Sequence, residues 1–315
     1  MKRALVTGAT GFLGSHLVRH FNRLGISVRI VRRSVSSTHA LAGTVYEEAI
    51  GELDDSGFLE KAIDGCDAVF HLAAEVTLLH RNHKTRWKTN VNDLQIFLNV
   101  LAKHPEVRFV FCSTAGAVGF TRKPEILDEN SPFTGSAIDY FMTKWRGEEL
   151  IKQAVESGLD AVIVNPSTVI GPGMRQNQQN AFRDAASGKV HFYPPGGNSF
   201  VFVDDVVRGM VAASQKGKAG ARYILAGHNM TFKEYLDLIA LVGGAEGPRC
   251  RIPGLILPMA GFAMETFFGK YGADFGKLAR SFGYYSSEKA KRELNYSITP
   301  IQVIIKETLT SIKKQ

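Results

Sequence analysis

The chain has 315 residues, 44% of them apolar, and a formal charge of +8 at neutral pH. That length and apolar share exclude a disordered chain and a small disulfide scaffold, and they allow a sizeable α/β core. Lys and Arg are interleaved with acids and never form a long block. This argues against nucleic-acid binding and for a solvated surface that attracts an anionic cofactor or substrate.

The N-terminus turns glycine-rich after four apolar-leaning positions, too few for a secretory signal, so the expected location is cytoplasmic. Alternating β-rich and amphipathic stretches follow. Strands are expected over 4–7, 28–32, 68–72, 108–112 and 161–165, with helices over 12–24, 87–103 and 140–156. Beyond Pro166 the rhythm changes. Gly171-Pro172-Gly173 and Pro194-Pro195-Gly196-Gly197 interrupt regular structure. A strand over 200–203, a helix from Asp204, a strand near 223–225 and a helix from Thr231 come next, with Glu234 completing a capping box. Late helices are expected over 287–294 and 301–309. The apolar stretch 252–268 is broken by Pro253, Gly254, Pro258, Gly261 and Glu265, so no membrane span is expected. It reads as a core helix or as a cover for a hydrophobic substrate. Cys66, Cys112 and Cys250 lie far apart without metal-ligand spacing, so they read as free thiols and no metal site is expected.

The pattern predicts an α/β fold: a Rossmann-type doubly wound parallel sheet with a smaller C-terminal substrate lobe. Residues 1–166 are the expected dinucleotide-binding domain. Residues 167–315 are the expected substrate lobe, partly interleaved with it.

Three segments carry chemistry. Between the first strand and helix, Gly8, Thr10, Gly11, Phe12, Leu13 and Gly14 belong to a G-x-x-G-x-x-G turn. Such a turn brings backbone N–H groups and a helix N-terminus against a diphosphate. Where an NAD site ends its second strand in an acid, this chain carries Arg32 and Arg33, which suit a 2′-phosphate. NADP(H) is therefore the preferred cofactor and NAD(H) the alternative. Tyr140 and Lys144 stand four apart on a predicted helix, sharing one face. An ammonium beside a phenol favours the phenolate and fits it for proton transfer near neutral pH. Thr114 follows a strand end, where hydroxyls face the ligand crevice and can orient a reacting oxygen.

Together these segments resemble the extended short-chain dehydrogenase/reductase family, also called NAD-dependent epimerase/dehydratase. Further marks are His71-Leu72-Ala73-Ala74, Thr89-Asn90-Val91, Asn165-Pro166-Ser167 and Val203-Asp204-Asp205-Val206. The resemblance implies that Tyr140 is the acid/base, that Lys144 holds the nicotinamide ribose and tunes the phenol, and that Thr114 is the active-site hydroxyl. It implies that Leu72, Ala73 and Ala74 line the cofactor and that Asn90 shapes the adjoining helix and cofactor site. Pro166 and Ser167 would contact the nicotinamide end, and Glu52 and Leu53 the adenine, with Glu52 replacing the family's usual Asp. Asp204 and Asp205 would be structural anchors. The family often forms homodimers through the helices carrying Asn90 and Tyr140.

Family dehydratases carry Asp-Glu after the active-site Thr. Here Ala115-Gly116 follows Thr114, as in the dihydroflavonol-reductase-like branch. The expected activity is NADP(H)-dependent reduction of a small-molecule ketone or aldehyde, or oxidation of the matching alcohol. The alternatives are an NAD-dependent sugar-nucleotide epimerase, with Asn165 contacting a substrate phosphate, and a non-catalytic dinucleotide-sensing or assembly protein.

Overall fold

The computed structural model describes residues 1–77, 82–135, 137–257 and 273–313, together with Met259, Phe262 and Thr266. Most of the apolar stretch over 252–268 lies outside the described residues after position 257. Strands run β1 Arg3–Thr7, β2 Ser27–Arg32, β3 Glu47–Ile50, β4 Ala68–His71, β5 Arg108–Cys112, β6 Ile126–Leu127 and β7 Ala161–Pro166. They continue with β8 Thr168–Ile170, β9 Phe192–Tyr193, β10 Gly197–Phe202, β11 Arg222–Leu225, β12 His228–Thr231, β13 Cys250–Arg251 and β14 Phe282–Tyr285.

Seven strands form one parallel sheet in the order β11-β7-β5-β4-β1-β2-β3. Its central strands β1, β4, β5 and β7 are buried on both faces, as expected where helices cover both sides of a parallel sheet. In β1, Ala4 and Val6 enter one core and Leu5 the other. Chain order reverses beside β1, where Thr7 pairs with His71 of β4. Ligands bind such sheets in the crevice at that reversal, outside the carboxyl ends of the strands. β11 comes from late in the chain yet closes the edge of this main sheet beside β7.

The principal helices are α1 Phe12–Arg23, α2 Ser56–Ile63, α3 His83–Trp87, α4 Asp93–Leu101, α5 Asp139–Glu156, α6 Gln176–Ala186, α7 Val203–Lys216 and α8 Phe232–Gly243. The helix expected over 87–103 instead begins at His83, passes through a π turn at Lys88–Asn92 and ends at Leu101. A π turn changes which side chains face inward without breaking the apolar spacing, so periodicity alone does not reveal it. The strand expected over 200–203 starts earlier, at Gly197, and yields to α7 at Val203. Thr231 caps α8, and its hydroxyl accepts from Glu234 N–H while the Glu234 carboxylate accepts from Thr231 N–H.

A second sheet, β12-β10-β14-β6 with β8 beside β10, packs with α6, α8 and the helix Ile301–Lys313 around a separate apolar cluster. Asp204 reaches His16 of α1 at 2.9 Å. Asp205 accepts from both the N–H and the hydroxyl of Thr299, each at 2.7 Å. Both aspartates thereby tie α7 to its surroundings. No helix among the described residues is long and apolar enough to cross a membrane.

Candidate active site

The glycine turn is a cradle that side chains would fill. Gly8 takes φ +69°, and a Cβ there would lie 2.7 Å from the Ala73 nitrogen and the Leu72 carbonyl carbon. A Cβ at Gly14 would meet the Gly8 oxygen at 2.2 Å, whereas one at Gly11 would meet it at 3.2 Å. The turn is closed by the Gly11 N–H donating to the Gly8 carbonyl at 3.1 Å. Phe12 and Leu13 open α1 without an acidic residue in its first turn, so the helix N-terminus stays electropositive.

Opposite this turn, the segment after β4 is held in two ways. The Ala73 N–H donates to Thr7 Oγ1 at 3.2 Å, and the Leu72 N–H donates to the Thr7 carbonyl at 3.2 Å. Below it, Asn90 is buried in the π turn. Its amide oxygen accepts from Glu75 N–H at 2.8 Å, and its amide nitrogen donates to the Glu75 carbonyl at 3.1 Å and to Thr143 Oγ1 at 3.0 Å. Asn90 thus clamps the segment carrying Leu72, Ala73 and Ala74 to α5. All three of these residues are half-buried.

The two arginines after β2 differ. Arg32 pairs with Glu48 at 2.6 Å and also donates to the Arg33 and Ser34 carbonyls. Arg33 is exposed and has no acidic partner among the described residues. Glu52 is exposed at the turn after β3, and Leu53 is half-buried against the neighbouring core.

Helix α5 lies against the end of β5 because small residues permit it. A Cβ at Gly147 would sit 3.0 Å from the Phe111 ring, and one at Gly116 would collide with the Phe141 ring at 2.1 Å. Lys144 Nζ donates to the Cys112 carbonyl at 2.6 Å and lies 4.2 Å from the Phe111 ring centroid. Burial lowers its pKa to about 8, against smaller opposing effects of Cys112 and Glu148. Burial likewise raises the Tyr140 phenol above its ordinary value, with Cys112 adding to the rise. The cations that act to lower it are Arg175 and Arg86. Thr114 has extended backbone and caps the short 3-10 turn Ala115–Ala117, its hydroxyl accepting from Gly116 N–H at 3.3 Å.

Behind Thr114 is a buried polar group that sequence reasoning did not single out. The Glu148 carboxylate accepts from the Ser113 hydroxyl, from Asn165 Nδ2 at 2.6 Å and from Arg222 at 3.2 Å. Asn165 Nδ2 also donates to the Thr114 carbonyl at 3.0 Å. A second polar cluster gathers at the half-buried Asp139, at the start of α5. It receives Arg86, the Trp87 indole N–H at 2.7 Å and His83 at 2.9 Å. Of these residues only Asn165 carries a motif in the sequence; Glu148, Arg222 and Asp139 carry no local signal.

Pro166 ends β7 and is buried. The Ser167 hydroxyl beside it is buried with no hydrogen-bond partner among the described residues, as is the Asn165 amide oxygen. A buried polar atom without a partner is one that a polar ligand group can satisfy. Together with the glycine cradle, it fits a dinucleotide lying across the strand ends. Among the described residues no group of three or more His, Cys, Asp or Glu is placed to hold a metal.

A family model described as the NAD dependent epimerase/dehydratase family matches residues 4–226. Over 306 residues the chain is 33% identical to Sterol demethylase protein B of Methylococcus capsulatus, covering 92% of each chain. Over 261 residues it is 28% identical to a bifunctional dihydroflavonol 4-reductase/flavanone 4-reductase of Pyrus communis, covering 74% of each. The crystal structure of gox2253 superposes with a TM-score of 0.87 at 28% identity, covering 100% of this chain and 98% of that one.

Proposed function

This chain belongs to the NAD-dependent epimerase/dehydratase family of extended short-chain dehydrogenases/reductases, and on that premise we propose that it reduces a ketone or aldehyde with NADPH. The reverse reaction would oxidise the matching alcohol. The observation that carries this reading is the meeting of α5 with the end of β5. There Lys144 bonds the Cys112 carbonyl two residues before Thr114, and the same parallel sheet carries the glycine cradle after β1 and the orphan Ser167 hydroxyl after β7.

The residues divide the work as follows. Gly8, Thr10, Gly11, Phe12, Leu13 and Gly14 would hold the diphosphate. Arg33 would meet a 2′-phosphate, with Arg32 held back by Glu48. Glu52, Leu53, Leu72, Ala73 and Ala74 would line the adenine side, with Asn90 positioning the last three. Pro166 and Ser167 would take the nicotinamide end, and Lys144 its ribose. The bound cofactor supplies the hydride. Thr114 orients the substrate oxygen and Tyr140 delivers the proton to it. The region after 166 acts as the substrate lobe, apart from β11.

Asn165 favours reduction over sugar-nucleotide chemistry. Its amide N–H groups are committed to Thr114 and Glu148 at full burial, so they are not free for a substrate phosphate. The test is turnover of a ketone and aldehyde panel with NADPH and with NADH, with Tyr140→Phe as control. NADPH oxidation that the control abolishes supports the reading. Recovery of tightly held NAD and no net cofactor turnover would replace it with the epimerase.

A further inference from the structure

Lys144 is buried, and no carboxylate touches it among the described residues. The groups around it are the Cys112 carbonyl and thiol and the Phe111 ring on β5, the neutral His71 on β4, and Glu148 on its own helix. Glu148 follows by four residues, one turn along the same face of α5, and its side chain is fully buried. Its ionisation state follows from its partners. One oxygen accepts from Asn165 Nδ2 and the other from Arg222, both groups that can only donate. Burial pushes the Glu148 carboxyl above its ordinary range, and the Ser113, Arg222 and Asn165 donors act against that rise; the carboxylate is the form that accepts from all three. Arg222 is in turn held by the Glu129 carbonyl at 2.6 and 3.0 Å, and the Glu129 carboxylate accepts from Ile224 N–H at 2.9 Å. This bracing keeps the hub in place across the ends of β5, β7 and β11.

We propose that Glu148 is a positioning residue, the buried anion that keeps Lys144 an ammonium and, through Asn165, holds Thr114 in place. Removing its charge leaves Lys144 buried with only a carbonyl and an aromatic ring as partners, so the amine releases its proton more readily. The electrostatics around Lys144 agree in sign, since Glu148 raises the affinity of the amine for its proton. This inference rests on the reading of Lys144 as part of the site, but its primary test does not use activity.

The experiment follows the ¹³Cε resonance of Lys144 in the full chain labelled with ¹³C-lysine, assigned with Lys144→Arg, as pH is raised. In the unaltered protein the midpoint is expected at about 8. In Glu148→Gln it is expected to fall by about one pH unit, with partial recovery in Glu148→Asp. An unchanged midpoint in a folded Glu148→Gln protein overturns the proposal. Should that variant not fold, the Glu148 ¹³Cδ resonance of the unaltered protein serves instead. It is expected to step at the Lys144 midpoint, and a featureless trace there overturns the proposal. An inactive enzyme panel combined with the expected lysine shift would sink the reductase reading and leave this inference standing. An active panel with no lysine shift would do the opposite.

Discussion

Lys144 stands four residues after Tyr140 on α5, yet its ammonium is bonded to the Cys112 carbonyl at 2.6 Å and not to the phenol. Burial therefore dominates both groups. It lowers the lysine and raises the tyrosine, and the cations that act against the rise at Tyr140 are Arg175 and Arg86. Among the described residues no hydrogen bond joins the Lys144 ammonium to the Tyr140 phenol. Lys144 instead fixes α5 to the strand end from which Thr114 emerges.

The glycine cradle predicts an order of severity. Gly14→Ala places a methyl 2.2 Å from the backbone oxygen of Gly8, and backbone cannot move aside cheaply. Gly11→Ala meets the same oxygen at 3.2 Å, which a small shift relieves. Thermal and urea unfolding should show Gly14→Ala destabilised by about 2–4 kcal/mol and Gly11→Ala by less than about 1 kcal/mol. Calorimetry should show dinucleotide binding lost in the first and retained in weakened form in the second. Equal effects would mean that the turn is not the tight approach described.

Cofactor choice is predicted to depend on Arg33 more than on Arg32. Arg32 is engaged by Glu48, while Arg33 is exposed without an acidic partner among the described residues. A charge-assisted bond to a 2′-phosphate contributes about 1.5–3 kcal/mol, so Arg33→Ala should weaken NADPH roughly 10- to 100-fold and leave NADH nearly unchanged. Glu48→Gln should release Arg32 and tighten NADPH. Calorimetric titration with each cofactor checks both, and parallel losses for NADPH and NADH in Arg33→Ala would refute the assignment.

Acid stability should follow His71. It is fully buried at the end of β4, and burial, aided by the Lys144 charge, lowers its pKa from 6.5 to about 3. Between these values the unfolded chain binds a proton that the folded chain refuses. Stability is therefore full above about 6.5 and falls as pH drops toward 3, with a slope approaching about 1.4 kcal/mol per pH unit. Urea unfolding across that window should show the slope, and His71→Gln should remove that share of it. An unchanged slope in the variant would assign the acid sensitivity to other groups.

Much of the frame was legible because it rests on local rules. Alternating apolar strands, the glycine turn and the Thr231 capping box each depend on neighbours in sequence, and the five early strands fall within a residue or two of expectation at each end. The π turn was not legible, since the apolar spacing of Val91, Leu94, Phe97, Leu98 and Leu101 runs out of it unbroken, and Asn90 within it bonds Glu75. The hub behind Thr114 was equally hidden. Glu148 gathers partners from β7, from β11 and from the residue just after β5, Arg222 lying 74 positions away, and no spacing rule links them. The split between Arg32 and Arg33 turns on Glu48, a residue on the adjacent strand that only the β2–β3 register brings near.

Deuterium transfer tests the central claim most directly. With NADPH carrying ²H at the reactive C4 position and a ketone or aldehyde identified from the panel, one deuterium should appear on the former carbonyl carbon. Tyr140→Phe should lower kcat/KM by about 10²- to 10⁴-fold while NADPH affinity stays unchanged. Full activity in Tyr140→Phe, or product without the label, would contradict the account.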